Sequence, residues 1–246
     1  MGPLDMASFP LVPYANRIAH GRFDWAGSER RVPLNFGDHP HALHGLGWQA
    51  VWEVVEHESE RVVLRHAHDG GPGWPWAYEA EQEIRLFEKG LEARFSVINR
   101  GDEAGPFGLG FHPYFGAPPG TLLRTRVAHV WLADETCVPE RRVGGDWFSD
   151  WSEGSSVHRD ELIDHCFTGW DGAAEVIRPD LGTIRLTASP ELSNLHLYMP
   201  PGSSFFCAEP VSHMPDAINR ADADEGERMH VLQPGGTLSG AMRMAL

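Results

Sequence analysis

Cysteines are few in this sequence, and long apolar runs are missing from it. The three cysteines, Cys137, Cys166 and Cys207, are widely spaced and form no C-x-x-C pattern, which argues against a disulfide framework and a thiolate zinc site. No apolar run approaches the roughly 20 residues that a transmembrane helix requires, and no basic and apolar leader opens the chain. We therefore expect a cytoplasmic protein with reduced thiols and no membrane partner.

Positive charge is also scarce. Lys and Arg total 20 against 35 Asp and Glu, which gives a formal net charge of −15. Such a surface repels phosphate backbones and anionic lipids, so nucleic acid is not an expected partner. The same balance weakly disfavours a phosphorylated substrate, although convergence of Arg22, Arg65 and Arg124 would reverse that argument.

What the chain does have is the composition of an ordinary globular protein, with 41% apolar and 22% charged residues. Short runs of β-forming residues bounded by Gly, Pro, Asp and Asn recur from end to end, whereas an apolar period of 3.6 is hard to find. The 27 glycines and 19 prolines suit many tight connections. The sequence therefore predicts one all-β domain over residues 1–246, built as a large antiparallel β-sandwich.

Two hairpins and two further strands are predicted in particular. Residues 83–99 alternate apolar and polar side chains on either side of Lys89-Gly90, a turn that can adopt a positive φ. A second hairpin is expected around the Pro-Asp-Leu-Gly turn at 179–182. Residues 61–68 and 194–198 should add two more strands.

Histidine is abundant, with 14 residues, and His39, His41 and His44 are close in sequence. A metal site would need a third or fourth ligand of suitable geometry. The sequence has no H-E-x-x-H motif, no Cys/His pair and no Asp-rich calcium loop. We expect no bound metal.

Two residues stand out as candidate proton carriers. His112 lies in an aromatic and glycine-rich stretch, 107–115, where burial and a nearby carboxylate would tune its pKa in opposite directions. Glu209 follows four apolar or small residues, and a carboxylate there is costly to bury unless it is paired or functional. The alternatives are a hydrogen-bonded core histidine and a glutamate that pairs with an arginine or reaches solvent.

Asp164 and Arg17 are weaker candidates when each is taken alone. Asp164 is a carboxylate among apolar neighbours, but it could equally cap a turn. Arg17, which follows Asn16, could donate to a ligand or pair with a buried acid.

Several local patterns, taken in order, resemble the aldose 1-epimerase (galactose mutarotase-like) family from about residue 8 to the end of the chain. The matching segments are Pro13-Tyr14-Ala15-Asn16-Arg17-Ile18, Gly21-Arg22-Phe23, His41-Ala42-Leu43-His44-Gly45, Phe111-His112-Pro113-Tyr114-Phe115, Asp164-His165-Cys166-Phe167, and Glu209-Pro210 followed by Pro215-Asp216-Ala217.

This resemblance implies a cofactor-free and metal-free enzyme that interconverts the α- and β-anomers of a free aldose such as galactose or glucose. It implies that Glu209 is the general base and His112 the general acid. Arg17, His44 and Asp164 would then bind the hydroxyl groups of the sugar. The implied fold is a β-supersandwich, in agreement with the strand pattern.

Two further residues are added as candidates for sugar binding. Asn16 is adjacent to Arg17, and Trp74 lies in a glycine-rich loop with Trp76. An aromatic face stacks well on the C–H face of a pyranose, but tryptophan is equally common as a core residue.

The start of the chain departs from the family pattern. Family members carry several strands before the Asn16-Arg17 segment, whereas 15 residues precede Asn16 here. The alternatives are a truncated gene model and a genuinely shortened sheet. A sandwich without those first strands would have an open sheet edge, which would favour a homodimer over a monomer.

Three other functions are compatible with parts of the sequence. A hexose 6-phosphate 1-epimerase of the same fold would need a basic phosphate pocket. A non-catalytic carbohydrate-binding β-sandwich would need neither His112 nor Glu209. A metal-dependent, cupin-like enzyme would use the histidine cluster.

Overall fold

The computed structural model describes residues 2–246, with the side chain of Pro3 left out. Its strands are β1 (Pro10–Leu11), β2 (Arg17–Ile18), β3 (Arg22–Trp25), β4 (Ser28–Arg31), β5 (Ala42–Leu43), β6 (Glu53–His57), β7 (Arg61–His68), β8 (Tyr78–Phe87), β9 (Gly90–Asn99), β10 (Gly105–Phe107), β11 (Gly110–Phe111), β12 (Tyr114–Gly116), β13 (Leu122–Thr125), β14 (His129–Ala133), β15 (Pro139–Gly144), β16 (Ser155–Ser156), β17 (Ile163–Thr168), β18 (Ala173–Arg178), β19 (Gly182–Ala188), β20 (Asn194–Met199), β21 (Phe205–Val211), β22 (His230–Leu232) and β23 (Thr237–Ala245). Short 3₁₀ helices span Pro3–Asp5, Ala19–Gly21, Trp151–Glu153, Ala217–Asn219 and Glu225–Glu227. Among these described residues, no helix combines the length and apolarity needed to cross a membrane.

Two large sheets dominate the molecule. The nine-stranded sheet has the order β16-β13-β18-β19-β23-β9-β8-β7-β6, and the eight-stranded sheet has the order β1-β11-β21-β20-β17-β14-β15, with β12 also paired to β21. Pairing between the neighbours in both sheets is antiparallel. The predicted all-β antiparallel sandwich is confirmed.

The apolar core lies between the two sheets. On β9 the buried residues Phe95 and Val97 alternate with more exposed neighbours, as expected for a strand with one buried face. Phe95 meets Phe111 of the opposite sheet with ring centroids 5.8 Å apart. On the same side of the eight-stranded sheet, Leu195 and Phe206 are fully buried in this core. The contact across the sheets therefore leaves the other face of the eight-stranded sheet free for polar residues.

The predicted hairpins and strands are present. β8 pairs with β9, and β18 pairs with β19 around a turn in which Gly182 has a φ of 93°. The first turn differs from the prediction in one respect, because Gly90 is already paired with Phe87 and has no positive φ. Gly90 is instead required by close packing, since an added Cβ would overlap the carbonyl oxygen of Met244 on β23.

Gly90→Ala is expected to lower the free energy of unfolding by about 1–3 kcal/mol, because the neighbouring strand must move to admit the methyl group. Gly116→Ala is the matched control: Gly116 is also a strand glycine, and its nearest atom to an added Cβ is Arg178 Nη1 at 3.4 Å, the end of a flexible side chain. That change should alter the stability by less than about 1 kcal/mol. Urea unfolding followed by tryptophan fluorescence measures both, and equal stability of the two variants would contradict the packing argument.

Candidate active site

A cavity of about 840 Å³ opens on the face of the eight-stranded sheet that points away from the core. Its described lining consists of Leu4, Asp5, Met6, Ala7, Phe9, Asn16, Arg17, Phe36, His39, Leu43, His44, Trp48, His112, Tyr114, Cys137, Leu162, Asp164, His196, Tyr198, Phe205 and Glu209. The floor comes from the sheet, and most of the walls come from the chain segments before residue 50, with Cys137 and Leu162 added from loops of the eight-stranded sheet. This cavity gathers most of the candidate residues.

Three adjacent strands supply the polar floor. β17 carries Asp164, β20 carries His196 and β21 carries Glu209. His196 lies directly opposite Glu209 in the antiparallel register, and Asp164 lies opposite Tyr198. Because side chains alternate across a strand, these residues share one face while their sequence neighbours enter the core.

Arg17 and Asp164 form a buried, two-point ion pair. Arg17 Nη1 and Nη2 donate to Asp164 Oδ1 and Oδ2 at 3.2 and 2.7 Å. His196 Nε2 adds a third hydrogen bond to Asp164 Oδ1 at 2.7 Å. Burial opposes the charge on Asp164, but the hydrogen bond from His196 and the charge of Arg17 outweigh burial and hold the pKa of Asp164 well below its usual range. The carboxylate is therefore ionised and fixed in place.

Asn16 and His44 are joined by two hydrogen bonds that involve their backbone amides. Both have left-handed conformations, with φ of 56° and 58°, a strained arrangement for residues other than glycine that is common at functional sites. The amide of Asn16 donates to His44 Nδ1 at 3.1 Å, and the amide of His44 donates to the Asn16 carbonyl at 2.7 Å. Since Nδ1 accepts a hydrogen bond, the neutral imidazole of His44 carries its proton on Nε2.

The protonation of His44 and the orientation of Asn16 follow from their surroundings. Burial, with the neighbouring charges of His112 and Arg17, keeps the pKa of His44 well below its usual value. Asn16 Oδ1 accepts from Arg17 Nη1 at 2.9 Å, so the amide nitrogen points the other way, 3.2 Å from His196 Nε2. His44 and Asn16 therefore both supply N–H donors in the cavity.

His112 packs against two aromatic rings. Its ring centroid lies 4.3 Å from that of Phe9 and 5.0 Å from that of Tyr114, with interplanar angles of 30° and 25°. The backbone amide of His112 also donates to the carbonyl of Phe9 at 3.2 Å. Burial lowers the pKa of His112 to about 3.

Glu209 faces His112 from the central strand β21. The carboxyl group is almost completely buried, and its Oε1 lies 3.3 Å from His112 Nε2. Oε2 has no hydrogen-bond partner among the described residues. Burial, reinforced by the charge of Asp164 and opposed by Arg17, raises the pKa of Glu209 well above its usual value.

Burial acts on Glu209 and His112 in the same sense, because it penalises net charge. A pair with both protons would be a buried cation, and a pair with none would be a buried anion. A pair that shares one proton is neutral overall, whichever partner holds it. Near neutral pH the two groups therefore hold one proton between them.

Six of the seven candidate site residues line this one cavity: Asn16, Arg17, His44, His112, Asp164 and Glu209. Trp74 does not, and its assignment as a ligand-binding residue is wrong in this structure. Its side chain is fully buried in the core, where it packs against Tyr14, Phe23 and Trp76.

His196 is buried in the cavity floor but was not predicted as a site residue. The signal for it was the alternation of Leu195 and Leu197 with His196 in a predicted strand. Of the clustered histidines, His41 has both ring nitrogens in use: Nδ1 accepts from the His20 amide, and Nε2 contacts Thr136 Oγ1.

The segment at 215–217, one of those that match the family pattern, supports the backbone around Arg17. The Asp216 amide donates to the Arg17 carbonyl at 2.7 Å, and Asp216 Oδ1 accepts from the Ala19 amide at 2.9 Å. These bonds fix the backbone that carries Arg17. A carboxyl group facing an imidazole, both buried and surrounded by fixed hydrogen-bonding groups, is typical of enzymes that move protons on a small polar ligand.

Comparison with known proteins agrees with that class. A sequence model of the aldose 1-epimerase family matches residues 3–245. The uncharacterized Escherichia coli K12 protein YphB is 31% identical, and the match covers 98% of this chain and 83% of that protein. A crystal structure from E. coli K12 with a provisional aldose 1-epimerase assignment superposes with a TM-score of 0.89 at 30% identity, covering 99% of this chain and 84% of that one.

The GalM/aldose epimerase homologue from C. elegans has a TM-score of 0.81 at 19% identity, covering 99% and 83% of the two chains, which is a likeness of fold. The chain belongs to the aldose 1-epimerase family. The family resemblance carried by the sequence motifs is thereby confirmed.

Asp164→Ala is expected to destabilise the protein by about 3 kcal/mol or more, because it leaves the guanidinium of Arg17 buried without its counter-charge. The double variant Arg17→Met/Asp164→Leu removes both charges and should recover most of that loss. Urea unfolding measures all three proteins. A single variant as stable as the wild type would show that water in the cavity already solvates Arg17.

Proposed function

We propose that the protein is an aldose 1-epimerase, or mutarotase, that interconverts the α- and β-anomers of a free aldose such as galactose or glucose. The observation that carries this proposal is the separation of 3.3 Å between Glu209 Oε1 and His112 Nε2 in a buried cavity. Two proton carriers at this distance can reach the two oxygens bonded to one anomeric carbon. Membership of the family supports the same reaction class.

Mutarotation removes the proton from the anomeric hydroxyl and adds a proton to the ring oxygen. The ring then opens to an aldehyde that rotates and closes on its other face. We assign the first transfer to Glu209 as general base and the second to His112 as general acid, each typically worth about 10²–10⁴-fold. Closure runs the same transfers in reverse, so the two groups exchange roles within one turnover.

The proton count of the pair suits this reaction. Before ring opening, the active arrangement is the Glu209 carboxylate with a protonated His112. After ring opening it is the Glu209 acid with a neutral His112. The total stays at one proton, so no net charge enters or leaves the buried site during the reaction, and no redox or nucleophilic group is needed.

We assign sugar binding to the fixed polar groups around this pair. Arg17, Asn16 and His44 offer N–H donors, and Asp164 offers acceptor lone pairs. These groups are already paired or locked before a ligand enters, which limits the entropic cost of binding. A site of this kind selects strongly against analogues that lack the matching hydroxyl groups.

An unphosphorylated sugar fits the charges better than a phosphosugar. Of the described residues that line the cavity, Arg17 alone is a lysine or arginine, and Asp164 neutralises it. Arg65 pairs with Glu81 and Arg124 pairs with Glu175, both on the nine-stranded sheet. A phosphate dianion would therefore enter a cavity without a free counter-charge.

A purely binding role is disfavoured for a different reason. Burying Glu209 opposite His112 is costly, and a binding site has no need of a proton-sharing pair. We also propose, as the sequence predicts, that the protein acts in the cytoplasm without a bound cofactor.

Glu209→Gln and His112→Asn are each expected to lower the catalysed rate by about 100-fold or more. Polarimetric relaxation of fresh α-D-glucose and α-D-galactose at low buffer concentration measures this loss. Glu191→Gln, at an exposed glutamate outside the cavity, is the control and should keep the wild-type rate. A variant at Glu209 or His112 that keeps more than about a tenth of the rate, a loss below 1.4 kcal/mol, would rule out its assigned role.

Glucose 6-phosphate in the galactose assay separates the two epimerase assignments. Glucose 6-phosphate should compete weakly or not at all with galactose, because the described lining of the cavity has no free positive charge for the phosphate. Strong competition, together with faster mutarotation of the phosphosugar, would instead favour the hexose 6-phosphate 1-epimerase.

The pH profile of kcat/KM should be flat from about pH 5 upwards until the raised pKa of Glu209 is reached, because the pair keeps one proton over that range. The second proton binds only as the pH falls towards the lowered pKa of His112, near 3, and the last proton leaves only above the raised pKa of Glu209. Background-corrected polarimetry across this range is the measurement. An acid limb centred near pH 6.5 would mean that His112 titrates as an ordinary, solvated histidine.

A further inference from the structure

We propose that Cys207 completes, with His112 and Glu209, a binding site for a zinc-like divalent ion, and that the bound ion blocks sugar turnover. The metal site itself is independent of the proposed function. The inhibition rests on the proposed function, because it depends on the roles assigned to His112 and Glu209.

The three side chains converge from two neighbouring parts of the eight-stranded sheet. Cys207 and Glu209 are two residues apart on β21 and therefore point to the same face. His112 follows β11, and its neighbour Tyr114 lies opposite Cys207 in the register. One ligand atom from each of the three residues lies within 4.8 Å of the others. Among the described residues, no other three potential ligands from His, Cys, Asp or Glu lie within this distance of one another.

The distances suit a small tetrahedral ion. Zinc bonds to nitrogen and carboxylate oxygen at about 2.0–2.2 Å, so two such ligands lie about 3.3 Å apart around the ion. His112 Nε2 and Glu209 Oε1 already lie 3.3 Å apart. The longer zinc–sulfur bond, about 2.3 Å, places the sulfur about 3.5 Å from the other two ligand atoms, so Cys207 has a shift of at most about 1.3 Å to make.

A second observation indicates that this place is built to accept a ligand. Glu209 is about 99% buried, at 1% exposure, and its Oε2 has no hydrogen-bond partner among the described residues. Such an orphaned acceptor normally costs free energy, and a cation would satisfy it. The donor set of one imidazole, one thiolate and one carboxylate is typical of zinc and unlike the all-oxygen sites of calcium and magnesium.

Charge balance favours a divalent ion. Binding releases two protons, one from the Cys207 thiol and one from the proton shared by Glu209 and His112. The thiolate and the carboxylate then carry two negative charges, which cancel those of the ion. No net charge remains buried, and no electron is transferred.

Inhibition follows from the atoms that the ion occupies. Metal binding uses the lone pairs of Glu209 and His112 that would otherwise accept protons from the sugar and from each other. Because His112 and Glu209 line the cavity, water or a sugar hydroxyl can supply the fourth ligand. Zinc should therefore slow the reaction, and a chelator should restore it.

Cobalt(II) is the spectroscopic probe of this site. Wild-type protein with one equivalent of Co²⁺ is expected to show a thiolate-to-metal charge-transfer band and the intense visible bands of tetrahedral cobalt, both removed by excess Zn²⁺. Cys207→Ala should lose the charge-transfer band. Two control variants should keep it: Cys166→Ala, at a buried thiol on β17, and Cys137→Ala, at a thiol that lines the same cavity.

Polarimetry then tests the inhibition. Zn²⁺ should slow the wild-type reaction at least tenfold, and adding EDTA should restore the rate. The factor by which Zn²⁺ slows Cys207→Ala should be at least tenfold smaller than the factor for the wild type. The uninhibited rate of Cys207→Ala should remain near that of the wild type. If no sugar is turned over, the cobalt spectra still decide the metal site, so the two proposals fail separately.

The proposal is overturned if folded wild-type protein gives no thiolate band at millimolar Co²⁺, or if the band survives in Cys207→Ala. Should Cys207→Ala not fold, Cys207→Ser provides the same comparison, since a hydroxyl gives no thiolate band. A band that disappears in Cys137→Ala instead would assign the metal to the accessible thiol and also refute the site.

Discussion

The pleat of the eight-stranded sheet is the constraint on which the site depends. One face of β17, β20 and β21 must be apolar, because it packs against the nine-stranded sheet. The two-residue period then directs Asp164, His196 and Glu209 to the opposite face, in adjacent strands and matched register. A slip of one residue would bury all three in the core and empty the cavity, so the same packing that stabilises the sandwich sets the positions of the chemical groups.

The cavity contains two pairs of buried ionisable groups, and the two pairs are stabilised in different ways. Arg17 and Asp164 are fully charged and are stabilised by bidentate geometry, with His196 as an additional donor. Glu209 and His112 have few hydrogen-bond partners, and burial keeps them neutral as a pair. The first pair is therefore suited to holding a ligand in place, and the second is free to redistribute a proton.

Much of this arrangement could be predicted from the sequence, because strands, turns and motif residues are encoded locally. The exceptions share a cause. Trp74 and His196 sit in local patterns that fit either assignment, since an aromatic residue in a loop can enter the core and a polar residue in a strand can face a cavity. Gly90 has a turn-like context, yet its role depends on Met244, more than 150 positions away in the chain. Such outcomes are decided by packing between distant segments.

The site combines residues on the rigid sheet with residues on more variable loops. Glu209 lies on a central strand, and His112 is packed against the rings of Phe9 and Tyr114 and held by a backbone hydrogen bond to the edge segment. These two residues are thus held by the most constrained parts of the cavity. Leu4, Asp5 and Met6 and the loop residue Phe36 form its outer wall. Because loops tolerate substitution better than sheets, ligand preference can change there while the distance between Glu209 and His112 is preserved.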